Sequence, residues 1–252
     1  MFVDTHCHIF SSYYGDIESI INNAIKNDVK RIIINGCDLN TNKEVLLLVK
    51  KYDIVYGALG IQPEEINDFN DENLKFIEKH INDDKIVAVG EIGLDYHYDI
   101  DKDLQKKLFK KQLDIALKYN KPVIIHSRDC IKETYDILKE YTKAGLNGVM
   151  HCYSGSVEMA REFNKIGFLL GVGGVSTFKN SKVIIDVIKS VSLEYIVLET
   201  DSPYLTPEPF RGKRNEPSYI PIIAKRVADV KSLDIKEIEE ATTDNARRLF
   251  DI

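Results

Sequence analysis

Short apolar runs alternate with amphipathic stretches about eight times along this chain, and that alternation constrains the fold more than anything else in the sequence. The apolar runs read as strands at residues 2–5, 31–35, 54–59, 86–90, 122–126, 147–151, 168–172 and 195–200. Helical periodicity fills the intervals at 17–26, 41–51, 70–81, 103–120, 131–143, 157–166 and 182–190, and two more helices at 221–230 and 235–250 finish the chain. About eight β-then-α units in 252 residues predict a closed parallel TIM (β/α)8 barrel of the α/β class, with an open doubly wound sheet as the competitor. No Gly/Ser linker, low-complexity tract or internal repeat interrupts the series, so residues 1–252 are expected to form one domain.

The ends of the apolar runs carry the chemistry. The first run leads into Asp4-Thr5-His6-Cys7-His8, and residues i and i+2 of a strand point to the same side, so His6 and His8 converge. Glu91, His126, His151 and Asp201 each stand at the end of a later run. The C-terminal ends of parallel strands share one rim, where such side chains meet. These positions belong to the first, fourth, fifth, sixth and eighth runs, and only closure brings the first strand beside the last. Taken singly, each residue reads equally well as a cap or a hydrogen-bonded core group. Six of them at five strand ends point to a bound cation.

Of the six histidines, His80 falls in a polar helical segment and reads as a surface residue, whereas His97 follows Glu91 closely enough to be a weak candidate for the same rim. Gly171-Val172-Gly173-Gly174 matches neither the phosphate loop nor the dinucleotide fingerprint, and is read as a place of close approach at the barrel mouth. The four cysteines are far apart and form no Cys-x-x-Cys pair, so they signal neither a zinc ribbon nor a disulfide framework and read as core filler; Cys7 should face away from His6 and His8. The formal net charge of -6 argues against a protein that coats nucleic acid by bulk electrostatics, but leaves room for local capture of phosphate. Nothing at the N-terminus reads as a secretory signal and no run is long enough to span a bilayer, so the expected location is the cytoplasm, with no membrane partner.

Six stretches together resemble the TatD family of metal-dependent deoxyribonucleases: Asp4 to His8, Gly90-Glu91-Ile92-Gly93-Leu94-Asp95-Tyr96, His126-Ser127-Arg128, His151-Cys152-Tyr153-Ser154-Gly155, Glu199 to Leu205, and Arg211 to Pro217. They occur in order from residue 4 to residue 217 and cover most of the chain. The resemblance implies an amidohydrolase-like barrel, two divalent metal ions (Mg, Mn or Zn), and hydrolysis of DNA phosphodiesters, typically as a 3′-to-5′ exonuclease on single strands or ends. It implies that His6 and His8 hold one metal, that His126 and His151 hold the other, that Glu91 bridges them, and that Asp201 sits beside the first. Glu91 and Asp201 are the expected catalytic residues, with Asp201 orienting the attacking water and relaying its proton.

Phosphate capture falls to cations on the same rim: Arg128, two residues past His126, Lys179 on the seventh loop, and Arg211, Lys213 and Arg214 after the last strand. Two other functions fit the same ligand set. One is a metal-dependent hydrolase of esters or amides, such as an aminoacyl-tRNA deacylase. The other is a noncatalytic, metal-stabilised binding scaffold, which has no need of the added Asp201.

Overall fold

A computed structural model describes residues 1–252, the side chains of residues 67 and 68 excepted. The eight apolar runs form strands β1 (Phe2–Cys7), β2 (Val29–Asn35), β3 (Val55–Leu59), β4 (Ile86–Asp95), β5 (Val123–Arg128), β6 (Gly148–Met150), β7 (Phe168–Val172) and β8 (Ile196–Leu198). They pair in chain order, each neighbour parallel. The helices that return the chain are α1 (Ile17–Lys26), α2 (Leu39–Lys51), α3 (Asp71–His80), α4 (Lys102–Lys118), α5 (Ile131–Thr142), α6 (Val157–Lys165), α7 (Lys182–Ser190), α8 (Ile220–Lys231) and α9 (Ile235–Phe250).

Helix starts follow local chemistry. Asp16, Asp38, Asn70, Asp101, Ser156 and Asp234 each place a side-chain oxygen on a backbone N–H of the first turn, satisfying a donor that has no partner within the helix. Asp38 with Thr41 and Asp234 with Glu237 complete reciprocal capping boxes. Among the described residues no helix is long and apolar enough to cross a membrane.

The expected closure occurs, but mostly beyond the last regular residues of β8. The Asp201 amide donates to the His6 carbonyl at 2.9 Å, and the His8 amide to the Ser202 carbonyl at 2.7 Å. Below them the Thr5 hydroxyl donates to the Leu198 carbonyl (3.0 Å), and the buried Asp4 carboxylate accepts from the amide and hydroxyl of Thr200. Eight parallel strands thus make a nearly closed barrel in one domain.

Two apolar layers hold it. The larger lies between strands and helices. The smaller draws on every strand, with Val3, Ile33, Ala58, Ala88, Ile124, Val149, Leu169 and Val197 meeting Ala246 and Phe250 of α9 beneath them. Phe250 is 2% exposed, and an aromatic side chain buried to that degree typically contributes about 3–5 kcal/mol against truncation.

Strand alternation carries this inner layer up to the mouth. Two residues above Ile124, Val149 and Val197 come His126, His151 and Glu199, with Asp201 two further on. In β1 and β4 simple alternation from Val3 and Ala88 would turn His6 and Glu91 the other way. Register irregularities between Asp4 and Cys7, and between Val89 and Ile92, reset the side-chain direction. Cys7 and Ile92 therefore join the outer layer, while His6 and Glu91 face the barrel interior.

Candidate metal centre

Glu91 is the hub. It is 1% exposed, and its two carboxylate oxygens face different histidines. Oε2 lies 3.3 Å from His6 Nε2 and 3.4 Å from His8 Nε2, while Oε1 lies 2.9 Å from His126 Nδ1 and 3.6 Å from His151 Nε2. Asp201 Oδ1 completes the first set at 3.6 Å from His6 Nε2 and 3.7 Å from His8 Nε2, and it is 4.0 Å from His151 Nε2. All six expected ligand residues therefore gather at one centre.

The donor atoms suit a cation better than they suit one another. His6 Nε2 and His8 Nε2 face each other at 3.0 Å. His8 Nδ1 donates to the Asn35 carbonyl at 3.0 Å, which leaves Nε2 as the nitrogen turned to the centre. Four tetrahedral ligands at about 2.1 Å from an ion stand about 3.4 Å apart, close to the 3.0 to 3.7 Å separations of His6, His8, Glu91 and Asp201. His6 Nδ1, His151 Nδ1 and Glu199 Oε2 are buried without a hydrogen-bond partner, and the first two belong to rings whose Nε2 faces the centre. The residues thus fit a divalent cation, and a donor set of imidazole and carboxylate favours borderline ions such as Zn or Mn.

Burial tunes these groups in opposite directions. It pushes His6 down to about 3, with the neighbouring His151 ring adding to the effect, so the imidazole is neutral and ready to ligate. It pushes Asp201 up to about 6 and Glu199 up to about 7. Burial also opposes the charge of Glu91, but the surrounding imidazoles of His6, His151 and His126 outweigh it and hold the carboxyl well below its usual range. For His126, burial disfavours the cation, yet hydrogen bonds to Asp95 and Glu91 prevail and raise it to about 10.

Several residues absent from the expected site support the ligands. Asp95, fully buried and four residues after Glu91 on β4, bonds His126 Nε2 at 2.9 Å and so turns Nδ1 toward Glu91. Asp95 is itself held by Gln105, which accepts from its amide and donates to its carbonyl, both at 2.8 Å. Glu199 lies 3.2 Å from His151 Nδ1 and accepts from the Cys152 amide. Gly171 makes room for it, since a Cβ there would sit 2.2 Å from Glu199 Oε2. Gln62 donates to Glu91 Oε2. The sequence signals for the two acids were their positions, Asp95 four residues past Glu91 and Glu199 two before Asp201.

One of the four cysteines departs from the core-filler reading. Cys7 and Cys130 are buried in the core and Cys37 packs against it while also lining the cavity above the centre, but Cys152 lines the cavity without joining the core. Cys37 Sγ stands 3.4 Å from His8 Nδ1. His97 is half-exposed, 3.4 Å from Asp129, and is not among the cavity-lining residues. His80 bonds Asp83 and packs on Phe76, away from the site.

The cavity measures ≈ 580 Å³ and opens over His8, Glu91, His126, His151 and Asp201. Arg128 lines it, with its guanidinium 5.7 Å from the Tyr98 ring centre. Lys179, Arg211, Lys213 and Arg214 are exposed and stand outside it, Arg211 over the Phe178 ring at 3.9 Å and Arg214 over Tyr14 at 5.4 Å.

Residues 3–251 match the family model for TatD-related DNases. Over its whole length the chain is 42% identical to the metal-dependent hydrolase YabD of Bacillus subtilis, covering 100% of both chains. It is 34% identical to the metal-dependent hydrolase YcfH of Escherichia coli, over 99% of this chain and 96% of that one. Among solved structures, the TatD homologue YjjV of E. coli superposes with a TM-score of 0.95 at 32% identity, over 100% of this chain and 98% of the other.

Proposed function

This chain belongs to the family of TatD-related DNases and is a metal-dependent hydrolase, and from that premise we propose that it removes nucleotides from the 3′ end of DNA strands, using two divalent cations. The observation that carries this reading is Glu91, whose two oxygens divide between the pair His6 and His8 and the pair His126 and His151. His6, His8, Asp201 and Glu91 Oε2 would hold one ion; His126, His151 and Glu91 Oε1 would hold the other. Bound there, such ions supply Lewis acidity, activating water and offsetting the charge that builds on a phosphodiester oxygen.

The chain's own residues do the rest. Asp201 lines the cavity and is suited to orient a water and relay its proton. Arg128 is placed in the same cavity to pair with a phosphate oxygen through charge-assisted hydrogen bonds. Asp95 holds His126 in orientation through its bond to Nε2, which leaves Nδ1 facing Glu91, and Glu199 stands 3.2 Å from His151 Nδ1 on the far side of that ring from Glu91. Lys179, Arg211, Lys213 and Arg214 would meet the backbone of the strand beyond the cleaved bond.

The test is a metal-restoration assay on 5′-labelled single-stranded DNA with EDTA-stripped protein, adding back Mg, Mn or Zn, beside an aminoacyl-tRNA substrate. Stepwise shortening from the 3′ end that depends on added metal and disappears in Asp201→Asn is the expected result. Deacylation without shortening transfers the assignment to ester hydrolysis. Inertness toward DNA with every metal defeats the nuclease reading.

A further inference from the structure

Among the described residues, the aromatic side chains that stand exposed are Tyr13 (37%), Tyr98 (47%) and Tyr204 (50%), and all three line the cavity over the metal centre. The remaining aromatic rings are buried or half-buried, so exposure of this kind is confined to the rim. Exposed rings gathered at the mouth of one cavity mark a contact site.

The rings occupy opposite sides of the mouth. Tyr13 follows β1 and Tyr204 follows β8, which adjoin at the closure; Tyr98 follows β4 and stands beside Arg128 of β5. In an eight-stranded barrel the β4–β5 edge lies across the axis from the β8–β1 edge. Tyr13 and Tyr204 meet edge-to-face with centroids 5.9 Å apart, and the Tyr204 hydroxyl donates to that of Tyr13 at 2.9 Å, so the pair is held as one unit. The Tyr204 ring centre is 6.5 Å from that of His8, which sets the pair directly beside the metal donors. Across the mouth, Tyr98 offers a ring and Arg128 a planar cation, and both kinds of surface stack on nucleobases.

We propose that Tyr13, Tyr204 and Tyr98 form a two-sided clamp that stacks on the bases of an unpaired strand end and delivers the adjoining phosphate to the metal centre. The proposal rests on the nuclease reading and names the side chains that would grip its substrate. A cavity of ≈ 580 Å³ has the size of a site for a small organic group such as one unstacked nucleotide. Stacking needs the flat faces of unstacked bases and tolerates any of them. The clamp therefore selects single-stranded or frayed ends with little preference for base identity. Tyr13, Tyr98 and Tyr204 are positioning residues, distinct from those that hold the metal.

The experiment pairs binding with cleavage. Binding of a short labelled single strand, and of the same strand with abasic sites at its last two positions, is measured by anisotropy with EDTA present; turnover is then measured with metal. Base-bearing ends should bind roughly ten-fold more tightly than abasic ones, Tyr204→Ala and Tyr98→Ala should each remove most of that difference, and Tyr204→Phe should recover it because the ring remains. In turnover these losses should appear in KM, with kcat and metal content preserved. Equal binding of base-bearing and abasic ends, or a difference that survives both alanine variants, overturns the clamp. Base-selective, tyrosine-dependent binding without cleavage supports the clamp and removes the nuclease reading; cleavage with base-independent binding does the reverse.

Discussion

The two ends of the barrel interior are equally buried and differently satisfied. At the bottom, Val3, Ile33, Ile124, Val149 and Val197 form one buried apolar cluster with Phe250. Near the mouth His6 and Glu199 are 0% exposed and Glu91 1%, yet His6 Nδ1, Glu199 Oε2 and Asn35 Oδ1 have no hydrogen-bond partner. Buried polar groups left unpaired cost free energy, a cost that the apolar bottom does not carry. The bottom thus holds the barrel together and the mouth spends part of that stability on a binding site. The contrast teaches that depth of burial does not distinguish core from site; satisfaction of the buried atoms does.

Four measurements would break or sharpen the contrast. The largest effect is expected at the mouth: Glu91→Gln replaces one oxygen donor with an NH2 group and removes the negative charge from both donor sets, and kcat/KM should fall by at least about 10³-fold while circular dichroism shows a folded protein. If activity persists within ten-fold, Glu91 is not shared. Next comes the bottom, where Phe250→Ala should lower stability by about 3–5 kcal/mol in urea unfolding and leave kcat as it is under conditions where the protein is folded. A large fall in kcat there would show that the two ends are coupled.

Smaller effects are expected around the ligands. Asp95→Asn weakens the hold on His126 Nε2, and metal affinity measured by competition with a chelator should drop about 10–100-fold. The gentlest probe is pH. Asp201, raised to about 6 by burial, carries a proton at pH 5 and has lost it at pH 8, while His6, pushed down to about 3, is neutral throughout. Metal must displace that proton at low pH and also those of His8 and His126, both raised, so affinity should rise with pH across 5 to 8, most steeply below about 6, where Asp201 is still protonated. A calorimetric titration that shows no proton release at pH 5.5 would contradict this assignment.

Much of the architecture was legible before the structure. Strands and helices fall within a few residues of their expected positions, and the bounds of α1, α7 and α9 coincide with them, because hydrophobic period and cap residues are local properties. His6, His8, Glu91, His126, His151 and Asp201 were legible for a similar reason, each standing at a strand end whose place on the rim follows from the fold class. Asp95 and Glu199 were not singled out, since what identifies them is contact with His126 and His151, 31 and 48 positions away in the sequence. Cys152 differs from its core-filler reading because a cysteine alone gives no sign of the cavity beside it until its neighbours are known.

By itself, then, the sequence determined a parallel α/β barrel and the list of groups able to hold a cation, because periodicity and residue chemistry are written position by position. Only the tertiary structure decided that His6 and Glu91 turn inward through irregularities in β1 and β4, that Glu91 divides its oxygens between two sets of histidines, and that three exposed tyrosines ring the same cavity. Those facts depend on the register between strands and on barrel closure, which bring together side chains from distant parts of the chain and are specified by packing across the whole molecule.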